Sequence, residues 1–336
     1  MSTIKCYVAK KAKATLEPFQ YEPSALGPLD ILVEITHCGV CLTDLQLIND
    51  DRKQSIYPLV PGHEIVGMIT QKGSNVADFE IGDRVGIGFQ RGSCGRCEWC
   101  RQGDENLCLK EEVTCNGHYG GYAAAIVADS RFAFLIPKEL SSENAAPLLC
   151  GGATVFAPLF HQKIDPTCRV GVIGIGGLGH LALKFAHAFG CEVIAFSSSP
   201  HKEREAKEFG AHHFISSVDS KSIEKAADSI DLIICSAPKE MDWEAYITTL
   251  RPKGTLCVVG IPKGGRIEVA IPGLTKRRKS ISGSHIASPS DIRKMLNFAA
   301  FHNIAPKTEV FPMSEVNNVL KKLAANQIHY RAVLKN

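Results

Sequence analysis

Cys94, Cys97, Cys100 and Cys108 lie in the stretch CGRCEWCRQGDENLC with the spacing C-x2-C-x2-C-x7-C. Four thiolates so placed close a tetrahedral zinc shell and leave no open position. An iron–sulfur cluster uses similar spacing, and disulfides are the third option. The expectation is a metal that shapes a loop rather than one that does chemistry. A catalytic zinc needs three protein ligands and one open place, and candidates for it stand elsewhere. CGVCLTD (38–44) ends one predicted strand, PGHE (61–64) places His63 at the mouth of another, and LLCGG (148–152) places Cys150 where the texture of the chain changes. Singly each is weak, because a lone histidine is more often structural. Their conjunction raises the expectation of a metal beside a cleft.

A second chemistry-bearing motif is GIGGLG (174–179), with Gly174, Gly176 and Gly179 in the G-x-G-x-x-G frame. It follows a predicted strand and opens a predicted helix. The first glycine permits a tight turn, the second lets a pyrophosphate approach, and the third lets helix and strand pack closely. The helix N-terminus offers unpaired N–H groups to phosphates. The next strand ends in Ser197, Ser198 and Ser199, with Lys202 following. No carboxylate stands there for a ribose 2′-hydroxyl, whereas three hydroxyls and a cation suit a 2′-phosphate. NADP(H) is therefore favoured over NAD(H), although the serines also suit helix capping.

The elements that must position these residues come in two textures. Residues 1–150 carry short β-branched runs, ILVEI (31–35), EIVGMIT (64–70) and DRVGIG (83–88), separated by turn signals. They suggest a compact antiparallel barrel. After residue 150, strands RVGVIGI (169–175), CEVIAF (191–196), HHFISS, DLIICSA and GTLCVVG alternate with helical stretches at 176–190 and 199–210. This alternation predicts an α/β, doubly wound parallel sheet. From about residue 285 the pattern changes again, to helices at 290–302 and 314–325 and strands at 308–311 and 330–334. The domains expected are 1–152 with 285–336 for the catalytic metal, and 153–284 for the dinucleotide.

With 336 residues, 45% hydrophobic and 22% charged, the chain suits two globular domains. A net charge of +3 implies no nucleic-acid partner, and the run KRRK (276–279) is read as a solvated loop. No long apolar run opens the sequence or spans a bilayer, so a cytosolic protein without a membrane partner is expected. There, structural disulfides are disfavoured and clustered thiols favour metal. Of the 13 cysteines, Cys6, Cys38, Cys115, Cys168, Cys191, Cys235 and Cys257 stand outside the motifs and are read as small buried hydrophobes.

CGVCLTDL, YPLVPGHEIVG, GDRVGIG, the four-cysteine loop, PLLCGGATVF, GVIGIGGLGH, AFSSSP, SISGS and YRAVL occur in this order over nearly the whole chain. The set resembles the zinc-dependent medium-chain alcohol dehydrogenases, most closely the cinnamyl-alcohol-dehydrogenase-like branch and its bacterial NADPH-dependent aldehyde reductases. The resemblance implies a GroES-like β-barrel catalytic domain beside a Rossmann domain. It implies Cys41, His63 and Cys150 as catalytic zinc ligands, Glu64 as a fourth or alternating one, and a structural zinc on Cys94, Cys97, Cys100 and Cys108. It makes Asp44 the carboxylate that orients His63 and Thr43 the hydroxyl on the substrate oxygen. Thr154, Gly176, Gly177 and Leu178 match cofactor contacts, Ser198, Ser199 and Lys202 a 2′-phosphate pocket, and Arg331 an arginine near the pyrophosphate. A small aldehyde or alcohol substrate is implied, as is a homodimer joined near an edge strand at Ile267–Ile271. Leu42 and Gln46 depart from the family pattern, which leaves its usual proton relay incomplete.

Three other readings compete. A zinc-loop binding protein for nucleic acid lacks a basic face. A zinc-less reductase of the same fold would not need all three ligand positions. An NAD-linked alcohol oxidiser is disfavoured by Ser197–Ser199.

Overall fold

The computed structural model describes residues 3–162, 164–261 and 265–336. They form two compact units, Met1–Cys150 with Ala287–Asn336, and Gly151–Ile286.

The first unit is built on the strand Asp30–Val40. Along it Ile31, Val33 and Ile35 alternate inward, as a half-buried strand requires. Its last four residues are all buried, so the chain is enclosed just before Cys41. Ile65–Lys72, Arg331–Lys335 and Ala125–Asp129 pair with it antiparallel. Arg84–Ile87 and Ala133–Leu135 extend the sheet on one side and Thr308–Pro312 on the other. The expected antiparallel barrel domain is present, with one exception. Thr308–Pro312 and Arg331–Lys335 run parallel, because the helix Val316–Ala324 crosses between them. The core of this unit gathers Val8, Ile31, Val33, Ile35, Ile65, Ile69, Val85 and Ile126.

The second unit is a six-stranded parallel sheet. Its order is His213–Ser216, Glu192–Ser197, Arg169–Ile173, Ile230–Cys235, Leu250–Val258 and Ser280–Gly283. Numbered along the chain this is 3-2-1-4-5-6, the doubly wound order in which ligands bind where the order reverses, beside Arg169–Ile173. Helices cover both faces of such a sheet, and the central strands are accordingly buried along most of their length, with Arg169, Glu192 and Asp231 at their starts less so.

Three expectations need correction. The dinucleotide-loop helix starts at Gly179, not at 176. The helix expected over 199–210 is a 3-10 turn at Pro200–Lys202 followed by Glu203–Glu208; Pro200 and the serines before it favour a turn. No strand forms over Ile267–Ile271. Ile271 opens the short helix Ile271–Thr275, whose first turn contains Pro272. Proline lacks the N–H a ladder needs and suits a helix start. Among the described residues no helix is long and apolar enough to cross a membrane.

Candidate active site

Cys41 directly follows the strand Asp30–Val40 and caps the helix Leu42–Asn49. A thiol there faces the positive end of the helix, which favours thiolate. His63 and Glu64 directly precede the strand Ile65–Lys72. Cys150 sits in the π-helical turn Leu148–Gly152, a widened turn of the kind that recurs at functional sites. Cys41, His63, Glu64 and Cys150 each present a ligand atom within 4.8 Å of the others.

Asp44 holds this cluster together. It is fully buried and accepts four hydrogen bonds. Oδ1 takes His63 Nδ1 at 2.9 Å and the Gly62 N–H at 2.9 Å. Oδ2 takes the Cys41 N–H at 3.0 Å and the Tyr122 hydroxyl at 3.2 Å. The carboxylate therefore fixes two ligand-bearing segments and the His63 ring at once. With Nδ1 engaged, Nε2 of His63 is aimed inward, buried and without a hydrogen-bond partner. A buried ring nitrogen in that condition is costly unless something binds it. Two thiols, a carboxylate and this nitrogen are the donor set of a zinc site, and the residues fit that ion. The Cys41 thiol lies well below its usual range. The hydrogen bond from Cys150 is the main cause, and His63 and Arg331 add to it against the opposing effect of burial. The thiolate is the form that binds metal.

Glu64, the carboxylate of this cluster, is fully buried, and both its oxygens accept from Nη2 of Arg331. Burial pushes the Glu64 carboxyl up to about 7, against the pull of Arg331. Arg331 was expected beside a pyrophosphate. It is the buried counterion of Glu64, because the strand Arg331–Lys335 pairs with Asp30–Val40 and carries the guanidinium inside the unit.

The four-cysteine loop forms a second cluster, with Cys94, Cys97, Cys100 and Cys108 Sγ atoms within 4.8 Å of one another. Backbone N–H groups point at the sulfurs, among them Cys100 N to Cys97 Sγ at 3.5 Å and Lys110 N to Cys108 Sγ at 3.3 Å. The N–H groups of Arg96 and Cys97 bring the Cys94 thiol down to about 6. Four converging thiols with preformed N–H donors fit a closed structural zinc.

In the second unit the turn after Arg169–Ile173 is shaped for a dinucleotide. Gly174 has φ +88°, and a Cβ on Gly179 would lie 1.8 Å from the Gly174 carbonyl oxygen. A Cβ on Gly176 would meet nothing within 4 Å, so the backbone there is open to an incoming group. Gly177 and Leu178 complete the turn, and Leu178 caps the helix Gly179–Ala188. Lys202 Nζ donates to the Ile175 carbonyl at 2.6 Å, and Ser199 N donates to Ser197 Oγ at 3.2 Å. Ser198 is exposed. Serines and lysine thus stand at the end of the second strand, beside the glycine turn. Thr154 is buried on the helix Ala153–His161 of the same unit. Gly179→Ala is expected to drive the helix from the strand, costing roughly 3 kcal/mol or more, and to abolish dinucleotide binding. Gly176→Ala is expected to leave the thermal midpoint within about 2 °C but weaken dinucleotide affinity at least about tenfold. Calorimetry and fluorescence titration of both variants check this pair.

Three neighbours escaped the reading of the sequence. Cys115, taken for a packing residue, lies fully buried with its Sγ within 4.8 Å of ligand atoms of His63 and Asp44. Tyr122 supplies the hydroxyl on Asp44. Phe89 stands edge-on to the His63 ring at 5.5 Å between centroids. None of them sits in a spaced motif.

Residues 27–138 match the alcohol dehydrogenase GroES-like domain family, and residues 177–300 match the zinc-binding dehydrogenase family. The chain belongs to the zinc-dependent medium-chain alcohol dehydrogenases. Its relatives place it in their cinnamyl-alcohol-dehydrogenase branch, as an oxidoreductase. It is 42% identical to the aldehyde reductase AdhA of Synechocystis sp., over 99% of each chain. It is 38% identical to a probable cinnamyl alcohol dehydrogenase of Oryza sativa, over 97% of this chain and 91% of the relative. Among solved structures, a cinnamyl alcohol dehydrogenase from Sorghum bicolor superposes with a TM-score of 0.95 at 35% identity, over 99% and 98% of the two chains. One from Helicobacter pylori, in complex with NADP(H), gives 0.91 at 31% identity, over 99% and 98%.

Proposed function

We propose that this dehydrogenase reduces small aldehydes to primary alcohols with NADPH, reversibly, using one catalytic and one structural zinc. The observation that carries the reading is the cluster of Cys41, His63, Glu64 and Cys150 with its partnerless His63 Nε2. Cys41, His63 and Cys150 would hold the zinc, which would supply Lewis acidity toward a carbonyl oxygen, and the glycine turn would hold NADPH, the source of hydride. Asp44 keeps His63 in the tautomer that presents Nε2. Thr43, half-buried on the helix that Cys41 caps, passes its hydroxyl proton to the substrate oxygen, and takes one in the reverse direction. Glu64 is the alternating fourth donor, filling the open place when no substrate oxygen occupies it, with Arg331 competing for its carboxylate. Beyond Thr43, Gln46 offers no titratable proton, and its Oε1 accepts from Arg52 at 3.3 Å. The hydroxyl is therefore replenished from water.

The 2′-phosphate is assigned to Ser198, Ser199 and Lys202, with Ser197 ordering the turn. By the same reading the enzyme works in the cytosol as a homodimer, without nucleic acid or membrane. Initial rates with one simple aldehyde, NADPH beside NADH, test the cofactor assignment. NADPH is expected to be strongly preferred, and Lys202→Ala to lower kcat/KM for NADPH by about tenfold or more, the worth of a charge-assisted bond. NADH kinetics should change little. Equal losses with both cofactors would make Lys202 a brace of the Ile175 carbonyl only. A wild-type preference for NADH would move NAD-linked alcohol oxidation ahead.

A further inference from the structure

We infer that Cys168 and Cys191 form an oxidisable dithiol that cross-links the first two strands of the dinucleotide-binding unit. Both thiols are free, and both lie far along the chain from the metal clusters. They immediately precede Arg169–Ile173 and Glu192–Ser197, which pair in parallel with Arg169 opposite Glu192. The pairing continues back to the cysteines, because Glu192 N donates to the Cys168 carbonyl at 3.0 Å. The ion pair between Arg169 Nε and Glu192 Oε2, at 2.7 Å, shows these two side chains on one face. The preceding residues, Cys168 and Cys191, therefore share the opposite face. Neighbouring parallel strands stand about 4.8 Å apart, inside the Cα separation of roughly 4.4–6.8 Å that a disulfide accepts. A common anchor keeps the two residues together. Cys168 N donates to the Asp165 carbonyl at 3.0 Å, and Cys191 Sγ lies 3.6 Å from that same oxygen.

Cys235 and Cys257 supply an internal contrast. They too lie on adjacent parallel strands, but Cys235 is opposite Val258 and Cys257 opposite Ile234. One residue out of register, they face opposite sides of the sheet and do not form a pair.

Cys168 is half-buried and Cys191 is 1% exposed, so the order of reaction follows from access. A small-molecule disulfide such as oxidised glutathione is attacked by the Cys168 thiolate, giving a mixed disulfide and one glutathione. The Cys191 thiolate then attacks the Cys168 sulfur and releases the second glutathione. Each glutathione leaves with one proton, the protein dithiol loses two electrons, and the oxidant is reduced by two. Burial pushes the Cys191 thiol up to about 12, which makes the second step slow at neutral pH.

The experiment treats the zinc-loaded protein with oxidised glutathione at mildly alkaline pH. It then alkylates remaining thiols under denaturing conditions and maps peptides by mass. A Cys168–Cys191 linked peptide is expected, with Cys235 and Cys257 both alkylated. The cross-link closes a loop in the unfolded chain, so the oxidised protein should melt several degrees higher than the reduced one. Cys168→Ser, a conservative change at a half-buried position, should lose that gain. The inference is overturned if Cys168 and Cys191 are both alkylated, if Cys168 stops at the glutathione adduct, or if Cys168→Ser shows the same rise.

Discussion

Cys41→Ala should lose turnover by roughly a thousandfold or more with every aldehyde tried, while folding and NADPH binding persist. The size follows from what is removed. A Lewis acid contributes several kcal/mol to a carbonyl reduction, and about 4 kcal/mol corresponds to a thousandfold in rate. The hydrogen bond from Cys150 draws the Cys41 thiol toward thiolate, the metal-binding form, and without Cys41 the donors of the cluster are His63, Cys150 and the Arg331-bound Glu64. The fold should tolerate the change. Alanine keeps the backbone N–H that donates to Asp44 Oδ2, and it keeps the carbonyl that accepts from Asp44 N at 3.1 Å. Cofactor binding should survive because the glycine turn belongs to the other compact unit. On the proposed two-zinc, NADPH-linked reading, three measurements on one preparation check this: zinc per chain falling from two to one, NADPH affinity within about threefold, and activity lost. Full activity in the one-zinc protein would sink the assignment of Cys41.

That prediction could be framed before any coordinates, and the reason is local chemistry. Metal-binding and phosphate-binding loops depend on residue types at fixed short spacings, so CGRCEWCRQGDENLC and GIGGLG announce themselves within a few residues. The alternation of apolar strands and helices after residue 150 shows the doubly wound sheet for the same reason. Contacts made over long separations leave no such trace. Arg331 reaches Glu64 across 267 positions, and Tyr122 reaches Asp44 across 78. Neither pairing is encoded in a spacing; each arises from which strand lies beside which. Cys115 reads as a small buried hydrophobe and is fully buried, and burial alone says nothing of its neighbours. Only tertiary structure shows that it is buried against His63 and Asp44. The strand expected at Ile267–Ile271 failed through Pro272, whose preference for a helix start outweighed the β-branched residues before it.

Asp44 is where the second large effect is expected, and its two substitutions should separate orientation from folding. Asp44→Ala leaves four buried donors without an acceptor: His63 Nδ1, the N–H groups of Gly62 and Cys41, and the Tyr122 hydroxyl. A loss of about 3–5 kcal/mol is expected, on the scale of breaking a buried charged network. Asp44→Asn should behave otherwise. With the amide oxygen turned to His63 and Gly62, the amide NH2 faces Cys41 N and Tyr122 Oη. The tyrosine hydroxyl can rotate and accept, so one buried N–H alone, that of Cys41, loses its partner, at about 1–3 kcal/mol. The protein should stay folded. What it loses is the negative charge on the far side of the His63 ring, which raises the basicity of Nε2 toward a metal. Zinc affinity should fall about 10- to 100-fold. Activity at limiting zinc should fall with it and return as zinc is raised. Competition with a chelator of known affinity, alongside thermal melts, gives both quantities from the same two variants. If Asp44→Asn binds zinc as tightly as the wild type, Asp44 serves only to join the Cys41 and His63 segments. If raised zinc leaves it inactive, the carboxylate acts in the reaction itself, beyond holding the ring.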